Sequence, residues 1–350
     1  MKQTACFFIP PSCGGAERVT LTIAKLLDPL LFDVKVVIVG SQMGDIVQFI
    51  PSRFEIIHLQ IHNIWDFTVC RMLRLMKKVK PSVVFSSISY LNTRVILSAK
   101  LIGNINIIVR NDNSIAKLRK DELLLVRNLY PKANSVICQT DEMKKEMLAM
   151  TNVSEVNLHV LTNPVDVDTI ALKLKEDYTN PYDSEYANYV FVGRVHYHKG
   201  LDVLLASFNK LLQQQPKSRL YIVGKYMLED SYYQQLIGEV SKYNIEKNVK
   251  WIGFTSNPYR YIKYANCLVL PSILEGLPNV VLDAMYLQTP VVVTRCVPVI
   301  DRIVNSEQGI IVDVEDVEGL ASAMRNAIKK SISKPYLLDS TKEILKLFTK

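Results

Sequence analysis

The 350-residue chain holds little glycine and proline, 13 and 15 residues, and no apolar run long enough to cross a membrane. With 49% hydrophobic and 22% charged residues, this composition excludes a disordered or fibrous chain and favours a globular protein. A spanning helix needs about 20 apolar residues, so we expect no integral membrane segment. One core rarely organises so many residues, and two domains are therefore expected.

Metal and export signals are also missing. The six cysteines form no CxxC pair, and three of them lie in or beside strand-like runs, which favours buried thiols over zinc ligands or a disulfide framework. No DxD pair follows a strand in the arrangement of a metal-dependent site. No long apolar block precedes Pro10 and Pro11, so a secretory signal is not indicated and we expect a cytoplasmic protein.

The net charge of +8 is unevenly placed along the chain. Residues 1–165 carry an excess of seven positive charges and residues 166–350 an excess of one, so an anionic partner should meet the first half. Segment 67–80, FTVCRMLRLMKKVK, combines basic residues with apolar ones at helical spacing. Two interpretations stay open: a solvated helix packed on the first sheet, or a helix that meets anionic lipid or a diphosphate-linked acceptor.

Short β-rich runs alternate with helical-period segments, which predicts an α/β protein with parallel sheets. The predicted strands are 4–9, 34–39, 56–59, 83–86, 107–110, 135–139, 189–192, 220–223, 249–252, 267–270, 291–294 and 309–312. Segment 163–188 breaks the rhythm and suggests Rossmann-like domains at 1–165 and 166–335, with residues 336–350 crossing back to the first. Such sheets bind ligands beyond their carboxyl ends, so we expect the two to face each other across a cleft.

The loop after the first predicted strand reads PPSCGGAE, with Gly14, Gly15 and Glu17 before the first helix. Paired glycines let a ligand approach the backbone, and amides at a helix start favour an anion. Neither GxGxxG nor GK[ST] is present, so a dinucleotide or ATP site is not indicated. A tight turn, with Glu17 complementing the helix dipole, is the alternative.

Two loops of the second half carry further candidate groups. Gly193 and Arg194 end a strand, and Lys199 opens the next helix, so two cations could converge on a diphosphate or simply be solvated. The stretch 270–285, LPSILEGLPNVVLDAM, predicts a strand, a loop with Glu275 and a helix with Asp283. Amides near Asn279 and Val280 would open this helix toward an anion or a sugar hydroxyl. Carboxylates in an otherwise apolar stretch favour a functional role.

That last stretch resembles the E(x7)E motif of retaining glycosyltransferases of family 4, close to PS-x-x-EG-x-P-x-x-x-x-EAM. Further landmarks of the family occur in order over about residues 9–328: GGAE at 14–17, NPVD at 163–166, VGR at 192–194 with KG at 199–200, VG at 223–224, GF at 253–254 and GIIVDVEDVEGL at 309–320. The resemblance implies a GT-B fold, with an acceptor-binding first domain and a nucleotide-sugar-binding second domain.

The resemblance also implies roles for individual residues. Arg194 and Lys199 would bind the donor diphosphate, assisted by Gly15, while Glu275 would hold sugar hydroxyls and Asp283 the ribose. Aspartate at 283 departs from the usual glutamate and shortens the arm by one methylene. The family's VGxG is also incomplete, because lysine and tyrosine follow Gly224 at positions 225 and 226.

Many members of this family place a histidine of the first domain near the reacting carbon, and this chain has none in the matching loop. Arg110 and Asn111 stand there instead, resembling an R-N-x-P variant, and we expect one of them, with Glu17, to line the sugar or acceptor site. His198, in the loop that leads to Lys199, is a further candidate for donor contact, with surface exposure as its alternative.

The resemblance thus implies a retaining, metal-independent hexosyltransferase. It would use a nucleotide-diphosphate sugar, expected to be a UDP-sugar, and a lipid-linked or polysaccharide acceptor in cell-surface glycan synthesis. We expect no cofactor and no nucleic acid. We do expect peripheral contact with an anionic membrane. The alternatives are a nucleotide-sugar epimerase and a non-catalytic sugar-nucleotide-binding protein. The donor base, the sugar and the acceptor are not determined by the sequence.

Overall fold

The computed structural model describes residues 2–61, 68–177, 179–337 and 340–349. The chain divides into two compact units. The first contains the residues up to Pro164 together with the C-terminal helix, and the second begins at Val165.

The first unit is built on a parallel sheet of seven strands within the described residues. The strands are β1 Gln3–Ile9, β2 Phe32–Gly40, β3 Glu55–Gln60, β4 Val83–Ser86, β5 Asn106–Arg110, β6 Ser135–Cys138 and β7 Leu158–Val160. Their order is β3-β2-β1-β4-β5-β6-β7. The six strands predicted for this half are confirmed, whereas β7, only three residues long, was not predicted.

The helices of this unit cover both faces of its sheet, which is why its central strands read as continuous apolar runs. They are α1 Gly15–Leu26, α2 Thr68–Val79, α3 Ser89–Ile102, α4 Lys120–Leu129, α5 Asp141–Met150 and the C-terminal helix, α13 Thr341–Phe348. The ring of Phe348 stacks on Phe7 and Phe85, with centroids 5.7 and 6.0 Å apart. Helix α13 is therefore part of the core of the first unit.

The second unit carries a parallel sheet of six strands within the described residues. Its strands are β8 Ala187–Val192, β9 Ser218–Val223, β10 Val249–Gly253, β11 Cys267–Leu270, β12 Val291–Thr294 and β13 Gly309–Val312. The helices are α6 Val167–Glu176, α7 Leu201–Gln214, α8 Ser231–Lys242, α9 Tyr259–Tyr264, α10 Asn279–Tyr286, α11 Ile300–Ile303 and α12 Val317–Ala327. The six strands predicted here are confirmed.

Each sheet contains one point at which the strand order reverses direction. In the first unit this point lies between β1 and β4, and in the second, of order β10-β9-β8-β11-β12-β13, between β8 and β11. Loops that leave two neighbouring strands in opposite directions open a crevice at their carboxyl ends, which is where open α/β sheets bind ligands. The topology therefore selects the loops after these four strands.

The basic segment forms helix α2, whose apolar side packs on the first sheet. Met72 and Met76 are fully buried in the core, and Arg74, Lys77 and Lys78 are exposed. The interpretation as a helix packed on this sheet is confirmed. Phe67, which the prediction included, lies outside the described residues. No helix within the described residues is long and apolar enough to span a membrane.

The six cysteines are not all buried as expected. Cys6, Cys138 and Cys267 are buried in strands, and Cys13 and Cys296 are half-buried. Cys70 is exposed. The prediction of a buried thiol is wrong there, because position 70 falls on the outer face of α2.

Candidate functional site

An ion pair bridges the strand-order reversal of the second sheet. Lys199, in the loop after β8, donates from Nζ to Oε1 of Glu275, in the loop after β11, at 2.5 Å. The two side chains are 24% and 13% exposed. Ser272 Oγ donates to the same carboxylate oxygen at 2.7 Å. Two residues predicted separately are therefore brought together at the point that the topology selects.

The backbone at this point is fixed by close packing of the two loops. The amide of Ile273 donates to the carbonyl of His198 at 2.8 Å. Gly200 has φ of +61°, and a Cβ there would lie 2.2 Å from the carbonyl oxygen of Pro271. Only glycine fits, so Lys199 is held by a turn that a side chain at position 200 would disrupt.

Arg194 lies just beyond the end of β8. The amide of Gly193 donates to Val223 at 2.9 Å and that of Val195 to Lys225 at 3.0 Å, which extends the pairing with β9 and sets Lys225 beside Arg194. Gly224 permits this approach, since a Cβ there would lie 1.8 Å from the Gly193 carbonyl oxygen. Arg194 is exposed and pairs with no other group in the described parts of the chain, so its guanidinium can bind an anion.

Sequence reasoning noted position 225 only as a missing glycine. The structure makes Lys225 a further cation at the edge that carries Arg194. The only signal in the sequence was the incomplete VGxG motif in which this lysine stands. That Lys225 lies beside Arg194 follows from the pairing of β8 with β9, which the sequence does not show.

Helix α10 begins where the sequence pattern predicts amides that face an anion or a sugar hydroxyl. Asn279 and Val280 are its first residues, and Pro278 before them provides no side-chain cap. The amides of a first helical turn have no partner within the helix and favour an anion or a hydroxyl group. Asp283 is half-buried about 6 Å further along the axis, at the border of a buried apolar face. Its contact with a ribose stays a prediction.

The end of β12 and the loop after it form a third side of this site, which was not predicted from the sequence. Thr294 Oγ1 donates to the carbonyl of Ser272. Burial, with an added contribution from the charge of Glu275, raises the pKa of Cys296 to about 11. The thiol is therefore protonated near neutral pH and acts as a neutral neighbour of the ion pair.

His198 is half-buried beside Tyr197, with ring centroids 3.8 Å apart. Its carbonyl holds the Glu275 loop, as described above, so its backbone has an evident structural role. Donor contact by its imidazole stays a prediction.

The glycine loop of the first unit is shaped by Glu17. This side chain is buried and accepts hydrogen bonds from Ser12 Oγ at 2.5 Å and from the amide of Gly14 at 3.1 Å. Gly14 is the N-cap of α1, and Gly15 is the first residue of that helix. The carboxylate thus caps α1, which agrees with the alternative of a tight turn stabilised by Glu17. Its contact with a sugar or acceptor stays a prediction.

Arg110 and Asn111 lie in the interior of the first unit, being 2% and 0% exposed. Arg110 Nε and Nη2 donate to Oδ1 of Asn163 at 3.1 and 2.6 Å, and Asn163 donates to Gln139 at 3.1 Å. Burial lowers the pKa of Arg110 to about 10, so it is charged at neutral pH. Arg110 thus ties the end of β5 to Asn163, after β7, inside the unit. Contact of Arg110 or Asn111 with a sugar stays a prediction.

Within the described residues, no group of three or more His, Cys, Asp or Glu side chains is arranged to hold a metal ion.

Two known protein families together match nearly the whole chain. The family described as Glycosyltransferase Family 4 matches residues 13–169, and that described as Glycosyl transferases group 1 matches residues 175–342.

Two curated relatives are similar to the chain in sequence. An uncharacterized glycosyltransferase of Methanocaldococcus jannaschii is 27% identical over 257 residues, which span 67% of this chain and 61% of the relative. The N-acetylgalactosamine-N,N'-diacetylbacillosaminyl-diphospho-undecaprenol 4-alpha-N-acetylgalactosaminyltransferase of Campylobacter jejuni is 22% identical over 100% of this chain and 96% of the relative.

Among solved structures, Anabaena HepE in complex with UDP-glucose superposes with a TM-score of 0.79 at 14% identity and covers 99% of each chain. At this identity the likeness shows that the two proteins share a fold.

Proposed function

Because the chain belongs to the family 4 glycosyltransferases and has the GT-B fold, we propose a specific transfer reaction for it. The protein moves a hexose or N-acetylhexosamine, with retention of configuration, from a UDP-sugar to a lipid-linked or polysaccharide acceptor in cell-surface glycan synthesis. The second unit binds the donor and the first binds the acceptor.

The Lys199–Glu275 ion pair is the observation that carries this proposal. A diphosphate offers Lys199 a stronger partner than one carboxylate, and the exposed Arg194 at the same edge adds a second charge. Once Lys199 binds phosphate, Glu275 is released to accept hydrogen bonds from sugar hydroxyls. Lys199 then binds the diphosphate and Glu275 binds the sugar, on either side of the glycosidic bond that breaks.

Retention and metal independence follow from this chemistry as proposals. The leaving phosphate can itself deprotonate the acceptor hydroxyl on the face from which it departs, so no protein nucleophile is needed. Arg194 and Lys199 supply positive charge where the leaving diphosphate develops negative charge.

The relatives support the choice of substrates. HepE has been solved with UDP-glucose, and the printed name of the Campylobacter relative describes a sugar acceptor carried on diphospho-undecaprenol. We extend both substrate classes to this chain.

The test is a panel of nucleotide sugars, assayed first for thermal stabilisation and then for nucleotide release. A UDP-sugar should raise the melting temperature, because a ligand of the folded state stabilises it by mass action. Free UDP should form only when a glycan or lipid-linked acceptor is added. Conversion of the donor without any acceptor would favour the epimerase, and stabilisation without release under any condition would favour the binding protein. The product's anomeric configuration, read by NMR, tests retention.

We also propose that the first unit contacts anionic membranes through the outer face of α2, where Arg74, Lys77 and Lys78 are exposed. The methionines of α2 are buried and the three exposed residues named above are basic, so we propose that attachment is electrostatic. Each basic residue near an anionic surface contributes about 1 kcal/mol, which suffices for reversible binding that high salt removes.

Vesicle co-sedimentation tests this contact. The protein should pellet with anionic but not with neutral vesicles, and R74E with K78E should weaken the binding. The matched control is K247E with K329E, which changes two exposed lysines of the second unit and the net charge by the same amount. Equal loss in both double variants, or equal recovery in the supernatant with both vesicle types, would contradict a specific role for α2.

A further inference from the structure

Polar side chains follow the carboxyl ends of three neighbouring strands of the first sheet, β1, β4 and β5. Glu17 and Tyr90 lie in the first turns of the helices that follow β1 and β4, and Asp112 lies in the loop after β5. These strands are adjacent in the order β1-β4-β5. The reversal of strand order lies between β1 and β4, so this is the edge at which the first sheet should bind a ligand. Tyr90 is 37% exposed and Asp112 is half-buried.

The electrostatics indicate that these three side chains share one environment. Burial raises the pKa of Tyr90, and the charge of Glu17 adds to that rise. Burial also raises the pKa of Asp112, the charge of Arg110 opposes the rise, and Glu17 adds to it. Since Glu17 is buried and caps α1, the edge presents the carboxylate of Asp112 and the phenol of Tyr90. The corresponding edge of the second unit presents Arg194 and Lys199. Carboxylates accept hydrogen bonds from sugar hydroxyls and repel phosphates.

A buried network of polar side chains holds the backbone at Asp112. Gln139 Nε2 donates to the carbonyl oxygens of Asn111 and Asp112 at 3.1 and 2.8 Å. Asn163 in turn donates to Oε1 of Gln139 and accepts from Arg110. The backbone that carries Asp112 is thus tied to the interior of the unit by side chains that do not reach the surface.

Two buried polar atoms of this network have no hydrogen-bond partner in the described part of the chain. They are Arg110 Nη1 and Asn111 Oδ1. A buried guanidinium with an unused N–H group is unfavourable, and such atoms in a native structure call for an explanation. The positive charge of Arg110 also acts on Asp112, whose pKa it lowers against the larger, raising effect of burial.

We infer that Asp112 binds hydroxyl groups of the acceptor's sugar, with Tyr90 as a second contact and Arg110 as the positioning residue beneath them. This inference rests on the proposed transferase function, of which it specifies the acceptor. The acceptor is recognised through a sugar that it already carries, not through a diphosphate alone.

The experiment measures acceptor binding without turnover, by thermal shift and isothermal titration. The probes are short polyprenyl diphosphates that carry N-acetylglucosamine, N-acetylgalactosamine or glucose, and the same diphosphate without a sugar. The wild-type protein should bind at least one sugar-bearing probe more tightly than the sugar-free one. Asp112→Asn should weaken that binding by about tenfold to a hundredfold, as expected for loss of hydrogen bonds to a charged group. Stabilisation by UDP-sugar should not change.

Two further variants complete the design. Asp121→Asn, at an exposed carboxylate of α4, is the control and should bind every probe as the wild type does. Tyr90→Phe changes a partly exposed residue and should weaken sugar-bearing probes about threefold to tenfold, which keeps the test informative if Asp112→Asn does not fold.

Equal binding of sugar-bearing and sugar-free probes by the wild type, or wild-type affinity in Asp112→Asn, would overturn the inference. If both acceptor variants instead behave as expected while no nucleotide sugar binds, the inference stands and the proposed donor chemistry fails.

Discussion

Replacement of Lys199 by alanine should raise the barrier to transfer by about 2 to 4 kcal/mol, the range for loss of one preorganised group that stabilises a developing charge. Lys199 is held at the strand-order reversal by the Gly200 turn and by Glu275, so its ammonium group is already in place. Arg194→Ala should have an effect of the same size. Because the charge on the diphosphate grows as the glycosidic bond breaks, turnover should fall more than donor affinity does.

Steady-state kinetics with the UDP-sugar identified in the panel would measure both effects. Lys247→Ala is the matched control, because Lys247 is an exposed lysine of the same unit that precedes β10 and so lies at the amino end of the sheet. Near-normal rates in both Arg194→Ala and Lys199→Ala would contradict the diphosphate assignment, whatever the effect of the control.

Glu275→Gln should abolish most transfer while leaving the fold intact. Glutamine can still accept the hydrogen bond of Ser272, but it lacks the charge that pairs with Lys199 and that strengthens hydrogen bonds to sugar hydroxyls. The ion pair gives this prediction a second part. With no carboxylate competing for Lys199, UDP itself should bind as tightly as it does to the wild type, or more tightly.

Calorimetric titration with UDP, read beside the transfer rate and the melting temperature, separates these effects. Glu307→Gln, at an exposed carboxylate before β13, serves as the control and should be unchanged in all three measurements. Loss of UDP binding together with transfer would mean that Glu275 serves to place Lys199 and not to hold the sugar. Retained transfer would remove Glu275 from the site altogether.

The strands could be predicted because a parallel strand covered on both faces must be apolar along its length. The run from Thr4 to Ile9 and the run from Val291 to Thr294 are of this kind, and both are strands. Strand β7, with the sequence Leu-His-Val, is too short to show any period and contains a polar residue. Pairing with β6 stabilises it, and that pairing is a property of the sheet rather than of the segment.

Arg110 shows where sequence patterns stop being informative. The family resemblance predicts that Arg110 or Asn111 lines the sugar or acceptor site, because they stand where many members carry a histidine. Here Asn163, 53 positions after Arg110, takes up two of its N–H groups inside the unit. Whether an arginine points into a cleft or into a core depends on which distant side chain can satisfy it.

The sequence by itself determined the alternation of strands and helices, the loops that carry Arg194, Lys199 and Glu275, and a family resemblance that the comparisons confirm. Those are properties of short segments, set by hydrophobic period, glycine and charge. Only the tertiary structure decided that Lys199 pairs with Glu275 across 76 positions, that Lys225 stands beside Arg194, and that the buried Arg110 bonds Asn163. The order of strands in each sheet sets these contacts, and strand order follows from the packing of the whole unit.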